Sequence, residues 1–591
     1  MTYKAPIDDI KFTLDYMTEF SQRVNADEFT DLSQDLVDAV LLEAAKFAEN
    51  EIAPLNRIGD VEGATLITHD NAFNEVKTAT GWSKTYKDWC EAGWASLPHS
   101  VEHGGQGLPT VLGVATTEMW NAASMAFGIG PVLTQGAADT IDNLGTDEQK
   151  RIYLEQIVSG NWSATMNLTE PDVGSDLGML ACKAVRDVDD FKLHGTKIFI
   201  TYGEHDVAEN IIHLVLARVE DAPKGVKGLS LFIVPKYLVK EDGGLGERNH
   251  VEAIGLEEKM GIHGSPTCTM AFEGATAYLI GEENKGINGM FMLMNNARLM
   301  VATQGVSIGD RAYQHAINYA NERTQGRRPD TPKGKMTLIK NHPDIKHMLL
   351  KQRCYTLASR ALCYQTALSL DLSKMLDGDE AKLAGLDADF LTPIAKGYAT
   401  DMGTESATLG VQIHGGMGFI EEAGAAQHYR DARIAAIYEG TNGIQAMDLV
   451  GRKLNMDNGT TALRFIDMAL ATADELMQSD EAFGKAAYRL KDAAEAAKEA
   501  TMWLLAAKDE DADLPLAAAT NYLRLMGLLL GAHYIAKGAL ACVGQLANAA
   551  EYIILARFFA ENLLPEVMAL NKIIIDGSEV LLAAPDDMFT L

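Results

Sequence analysis

A block of short, β-rich runs stands between two long helical stretches, and that order constrains the chain more than any other feature. Within residues 161–281 the runs SATMNLTE, FKLHGTKIFIT, IIHLVLARV, LSLFIVPK and CTMAFEG are separated by Gly, Asp and Pro, as strands joined by turns are. Before this block, DLSQDLVDAVLLEAAKFAEN (residues 31–50) carries apolar residues at helical spacing, and helical texture continues through residues 83–95 and 110–144. After Asn288 the helical pattern returns in long segments and persists to the C-terminus. The expected fold class is therefore α+β. It comprises an N-terminal extension (1–40), an N-terminal helical domain (41–160), a middle β-domain (161–281), a C-terminal helical bundle (282–455) and an additional helical domain (456–591). In the additional domain Leu463, Ile466, Leu470, Ala473 and Met477 repeat at steps of three to four, an apolar stripe that must pack on the preceding bundle or on a partner subunit.

Charge narrows the function. With 82 acidic and 51 basic residues the net charge is −31, which argues against nucleic-acid binding and docking on anionic membranes. The six cysteines (90, 182, 268, 354, 363 and 542) are scattered without a C-x-x-C pair, which fits a reducing compartment. The N-terminus MTYKAPIDDIKFTLDYM has neither the basic and apolar regions of a secretory signal nor an Arg-rich transit pattern. No uninterrupted stretch approaches the ~18 apolar residues of a membrane helix. A cytoplasmic location is expected.

P-loop, G-x-G-x-x-G, G-x-S-x-G and H-E-x-x-H patterns are absent, so any phosphorylated cofactor sits on another scaffold. Four segments carry candidate chemistry. Leu168-Thr169-Glu170-Pro171-Asp172-Val173-Gly174-Ser175-Asp176 ends a strand in a turn, either a plain turn or one whose N–H groups and hydroxyls hold an anion. In Ile437-Tyr438-Glu439-Gly440-Thr441-Asn442-Gly443, Glu439 is either a dipole-complementing carboxylate before a helix or a general base. Gln412-Ile413-His414-Gly415-Gly416-Met417-Gly418-Phe419 permits close backbone approach or ends a helix. The cations of Asn321-Glu322-Arg323-Thr324-Gln325-Gly326-Arg327 suit a helix C-terminus or a diphosphate.

Taken in order, TEPDVGSD, KIFIT, ERTQGR, QIHGGMGF and IYEGTNGIQ resemble the acyl-CoA dehydrogenase family of flavoproteins over residues 41–453. The resemblance implies a β-barrel-like middle domain, a C-terminal four-helix bundle and FAD between them. Thr169 and Ser175, with Leu168 beside them, match positions that contact the flavin or the neighbouring acyl-CoA, and Phe199 and Thr201 match the pair that packs on and hydrogen-bonds the isoalloxazine. Arg323 matches an arginine that reaches a flavin diphosphate in a neighbouring subunit, with Gln412 and Gly416 in the segment facing it. Thr441 matches a flavin contact, while Arg298 and Gly440 fall at substrate positions. Phe199 stands where tryptophan is usual, Asn295 where aspartate often meets CoA, and Gly443 where a polar flavin contact is common. The extension and the tail resemble the long-tailed branch that includes 3-methylmercaptopropionyl-CoA dehydrogenases.

The implied reaction is α-proton abstraction by Glu439 with β-hydride transfer to flavin. Its product is a trans-2-enoyl-CoA, formed from 3-methylthiopropionyl-CoA or another short to medium acyl-CoA. An electron-transferring flavoprotein is the implied acceptor, and a homo-oligomer, as a dimer, the expected assembly. The competing readings are an acyl-CoA oxidase, a non-catalytic acyl-CoA or flavin binder, and a lyase on the same scaffold. A pure binder or such a lyase has no need of Glu439.

Overall fold

The computed structural model describes residues 3–590, in which helices, then strands, then helices follow one another along the chain. The first part contains α1 (Ile7–Phe12), α2 (Phe20–Asn25), α3 (Gln34–Phe47), α4 (Leu55–Glu62), α5 (Trp82–Glu91), α6 (Thr110–Ala123), α7 (Met125–Leu144) and α8 (Asp147–Val158), with a small antiparallel pair, β1 (Thr65–Ile67) and β2 (Glu75–Lys77). Local chemistry sets several of these ends. Thr146 and Gln149 cap α8 reciprocally, satisfying two backbone donors that the first turn leaves unpaired.

The middle part contains β3 (Trp162–Asn167), β4 (Lys183–Asp187), β5 (Asp190–Thr201), β6 (Asn210–Val219), β7 (Leu229–Pro235), β8 (Tyr237–Val239), β9 (Leu245–Arg248), β10 (Val251–Leu256) and β11 (Thr267–Ile280). Strand β11 pairs with β5, β5 with β4, β4 with β6, β6 with β7, and β7 again with β11. That circuit closes a small barrel, the barrel-like domain expected, with β3 added parallel to β6 and β10 antiparallel to β11. Strand β7 is buried along its whole length and β6 at all but one position. They read as largely apolar, non-alternating runs because the barrel interior lies on one side and a helix covers the other.

That covering helix is α9 (Gly286–Glu322), the first of three long helices with α10 (Pro343–Met375) and α11 (Gly378–His414). The short α12 (Ala425–Ala432) and α13 (Asn442–Asp448) follow, then α14 (Thr460–Met477), α15 (Ala486–Glu510), α16 (Asp513–Ala541), α17 (Ala549–Phe558) and α18 (Glu566–Leu582). The last group is no appendage. Helix α16 is apolar nearly all round from Tyr522 to Ala536 and packs on α10 and α11 as well as on α14, α15 and α18. Gly527 lets its backbone approach Tyr398 of α11, since a Cβ there would stand 2.4 Å from the ring. The N-terminal residues are equally integrated. Ile10, Phe12, Met17 and Phe20 are buried, and Phe12 stacks on Tyr552 with centroids 3.5 Å apart.

The α14 stripe needs correcting. Its buried face runs through Ala462, Phe465, Ile466, Ala469, Ala473 and Leu476, whereas Leu463 and Leu470 are only partly covered and Met477 is exposed. Phe465 and Leu476, outside the expected stripe, lie on the face that meets α15 and α16, so the contact face is rotated toward them. The stripe therefore packs within its own chain.

One buried ionic cluster ties the helical parts together. Glu118 of α6 accepts from Arg360 Nη2 at 2.7 Å and from Tyr364 Oη at 2.8 Å, both on α10, with every member buried. Removing one partner of such a pair leaves an uncompensated charge. Arg360→Met is expected to lower unfolding stability by about 3–5 kcal/mol, read from the denaturant midpoint. A loss below about 1 kcal/mol, the scale of an exposed pair, would contradict the burial.

Candidate active site

The site begins with a turn. Between Tyr438 and α13 the backbone takes two successive left-handed residues, Glu439 at φ 56° and Gly440 at φ 83°. Glycine adopts this freely, whereas a non-glycine residue there costs about 1–3 kcal/mol and persists only when its surroundings fix it. Thr441 then caps α13, its hydroxyl accepting from the Ile444 N–H at 3.2 Å. Three anchors hold the turn. Tyr438 hydrogen-bonds Gln304 of α9, whose amide donates to Asn121 of α6 at 2.9 Å. Lys396 of α11 donates to the Gly440 carbonyl at 2.8 Å and to Asn442 Oδ1 at 2.9 Å. Asn442 in turn donates to Asp401 at 2.7 Å.

Inside this frame Glu439 is half-buried, and its Oε2 is shielded from water and meets no hydrogen-bond partner among the described residues. Burial pushes its pKa up to about 7, against the opposing pull of Lys396 and Arg298. Lys396 is fully buried, and burial pushes its ammonium down to about 7 despite the attraction of Glu439 and Asp401. A carboxylate poised near neutrality, with a free oxygen, is what proton abstraction near pH 7 requires. Among the described residues the Glu439 N–H also meets no acceptor, leaving a donor for a polarised carbonyl. Arg298 is buried within this cluster, its Nη1 donating to Asn295 at 3.2 Å and lying 3.8 Å from Asp448.

A second group lies on the barrel. Phe199 sits in β5 where two residues oppose one on β11, with φ 60°, and its side chain is 58% exposed. A β-bulge re-aims a side chain in this way, and it leaves an aromatic ring uncovered. Thr169 lies alongside, its carbonyl accepting from the Ile198 N–H at 2.9 Å, and the Thr201 carbonyl accepts from Thr165 Oγ1 at 2.6 Å. Leu168 is held through its carbonyl by Lys197 Nζ at 3.0 Å. Lys197 also pairs with Glu170 at 2.9 Å, and Glu170 accepts from the Ala181 and Cys182 N–H groups. The TEPDVGSD turn is therefore pinned at its base, while Ser175 and Gly174 stand in the open with space beside them.

A third group stands apart. Arg323 closes α9 twenty-five residues beyond Arg298, a separation of ~37 Å along one continuous helix. Arg323, Gln412 and Gly416 are all exposed, so this chain does not bring them to Glu439. His414 is an interior residue, hydrogen-bonded to the Gly410 carbonyl at 2.7 Å and stacked on Tyr319.

Other chemistry is excluded locally. His205 Nε2 lies 2.8 Å from Ser163 Oγ, but its Nδ1 accepts from the Val207 N–H. The proton therefore resides on Nε2, and that ring is no base toward the serine. Among the described residues no group of His, Cys, Asp and Glu could hold a metal ion, and none of their helices is long and apolar enough to cross a membrane.

Comparison with known proteins agrees with this geometry. Four family models match in order: Acyl-CoA dehydrogenase, N-terminal domain (37–161), middle domain (165–275) and C-terminal domain (284–454), then Acetyl-CoA dehydrogenase C-terminal like (465–585). The chain belongs to the acyl-CoA dehydrogenase family of FAD-dependent oxidoreductases. It is 45% identical over 591 residues to the 3-methylmercaptopropionyl-CoA dehydrogenase of Ruegeria pomeroyi, covering 99% of this chain and 100% of that one. It is 32% identical to a butyryl-CoA dehydrogenase of Syntrophomonas wolfei, over 99% of each. The fold is shared with Caenorhabditis elegans ACDH-11, solved in complex with C11-CoA, at TM-score 0.79 and 21% identity over 97% of this chain and 96% of that one. The extra α14–α18 region is thus part of a recurring architecture.

Proposed function

We propose that this protein dehydrogenates an acyl-CoA between Cα and Cβ, with Glu439 as the base. The observation that carries this reading is the half-buried Glu439 carboxylate near pKa 7, with one shielded and unpartnered oxygen, on a turn held by Lys396 and Tyr438. Glu439 removes the α-proton, and its own N–H supports the negative charge that develops on the thioester oxygen. The relative from Ruegeria pomeroyi makes 3-methylthiopropionyl-CoA the first substrate to try.

The residues present fit FAD. Phe199 offers an uncovered aromatic face, Thr169 and Thr201 flank it, and the open Gly174–Ser175 turn offers N–H and hydroxyl donors. Thr441 and Gly443 line a cleft of about 610 Å³ with Asp401, Arg433 and Thr520, room for the nucleotide part. When bound, FAD supplies the acceptor for the β-hydride. Electrons then leave to an electron-transferring flavoprotein.

The exposed Arg323, Gln412 and Gly416 set serves the cofactor of a second subunit, so the protein is a homodimer. Arg323→Ala is expected to weaken FAD binding by ~10–100-fold, the worth of a charge-assisted hydrogen bond, although Arg323 lies ~37 Å along α9 from Arg298. Flavin affinity by fluorescence checks this, and unchanged affinity would remove Arg323 from the cofactor site. The reading as a whole is tested by a panel of butyryl-, 3-methylthiopropionyl-, octanoyl- and palmitoyl-CoA with an artificial electron acceptor. Turnover of none of them by the flavin-loaded protein would overturn it.

A further inference from the structure

Lys396 lies in the middle of α11 and is fully buried. A buried ammonium is costly unless its donors are used. Among the described residues both of its hydrogen bonds go to the base's turn, to the Gly440 carbonyl and to Asn442 Oδ1, and none to a carboxylate. Asn442 is gripped by the same helix, donating to Gly397 O, Thr400 Oγ1 and Asp401 Oδ1 at 3.2, 3.0 and 2.7 Å. The left-handed pair at Glu439 and Gly440 turns the Gly440 carbonyl inward, where Lys396 meets it. The charged and titratable groups around Glu439 are Lys396 and Asp401 from α11, Arg298 from α9, Asp448 and Arg452 at and beyond the end of α13, and the adjacent Tyr438.

We propose that Lys396 is the positioning residue of the base: its ammonium fastens the Glu439–Gly440 turn to α11 and sets both the direction and the charge environment of the carboxylate. This rests on the reading of Glu439 given above. Lys396 touches the turn, not the carboxylate, and acts through it.

The test uses flavin-loaded Lys396→Met, Lys396→Arg, Asn442→Ala and Glu439→Gln, assayed with 3-methylthiopropionyl-CoA and butyryl-CoA across pH. In Lys396→Met, kcat is expected to fall ~10–100-fold, as misplacement of a reacting group does, while KM stays within about threefold, a split that marks lost transition-state rather than ground-state interaction. Without the neighbouring positive charge the carboxylate protonates more readily, so the acid limb moves up by about one pH unit. Lys396→Arg should return the limb toward wild type. Asn442→Ala removes one tether but keeps the charge, so kcat falls ~10-fold and the limb stays. A Lys396→Met enzyme with wild-type kcat, or one slowed with an unmoved limb, overturns the proposal. Should Lys396→Met not retain flavin, Asn442→Ala decides, and wild-type kcat there overturns it. Full turnover by Glu439→Gln would instead overturn the assignment of the base, a result separable from the other three.

Discussion

Glu439→Gln is expected to fold and hold FAD but to turn over ~10²–10⁴-fold more slowly than wild type. Glutamine keeps the size of the side chain and the backbone of the turn, whose anchors at Tyr438, Gly440 and Asn442 are untouched. What it loses is the oxygen that accepts the proton. The pH profile follows from the same carboxylate. Its pKa is raised to about 7 by burial, and only the ionised form is a base. The kcat/KM of the wild type should therefore fall about tenfold per pH unit below that limb. In Glu439→Gln the residual rate should lose the limb. Steady-state rates between pH 5.5 and 9 with an artificial acceptor check both outcomes, and a variant with near-wild-type turnover would place the base elsewhere.

The second large effect concerns the C-terminal helices. Deletion after Leu454 removes α16 from α10 and α11, opening the seat of Leu523 against Gly397 and that of Gly531 against Ala358. It also strips the N-terminal segment of Tyr552, on which Phe12 stacks, and of Gly538, which lies against Met17 and Phe12. The apolar surface thus exposed on two elements far exceeds what a folded monomer leaves bare. The truncated protein should aggregate or change its assembly. Light scattering of the full chain and the truncation measures this. A truncation with the same mass per assembly and the same melting temperature would show that α14–α18 are dispensable to the bundle.

The sequence reveals the architecture well because the block between 161 and 281 breaks at Gly, Asp and Pro into short β-rich runs, where its flanks keep helical spacing. It reveals Glu439 because Tyr438, Gly440 and Thr441 surround it in a contiguous motif. Lys396 leaves no such trace. One lysine in a helical pattern looks like any solvated residue, and only the fold shows that it is buried against the turn that carries Glu439, 43 positions further along the chain. The tie from Tyr438 through Gln304 to Asn121 is equally silent, since it joins a turn to two helices across more than 300 residues. Arg298 illustrates a subtler gap. The resemblance places it with the substrate's CoA, whereas in the structure its guanidinium also lies near enough to pull the Glu439 pKa down against burial. In α14 apolar residues occur on more than one side, so a three-to-four spacing alone does not tell the Leu463–Leu470–Met477 line from the buried line through Phe465, Ala469 and Leu476.

The most direct test of the central claim is anaerobic mixing of the flavin-loaded protein with 3-methylthiopropionyl-CoA while flavin and enoyl-CoA absorbance are followed together. Loss of flavin colour accompanied by one equivalent of enoyl-CoA, both slowed ~10²–10⁴-fold in Glu439→Gln, is the predicted result. A flavin that stays oxidised with this thioester and with butyryl-, octanoyl- and palmitoyl-CoA would contradict it.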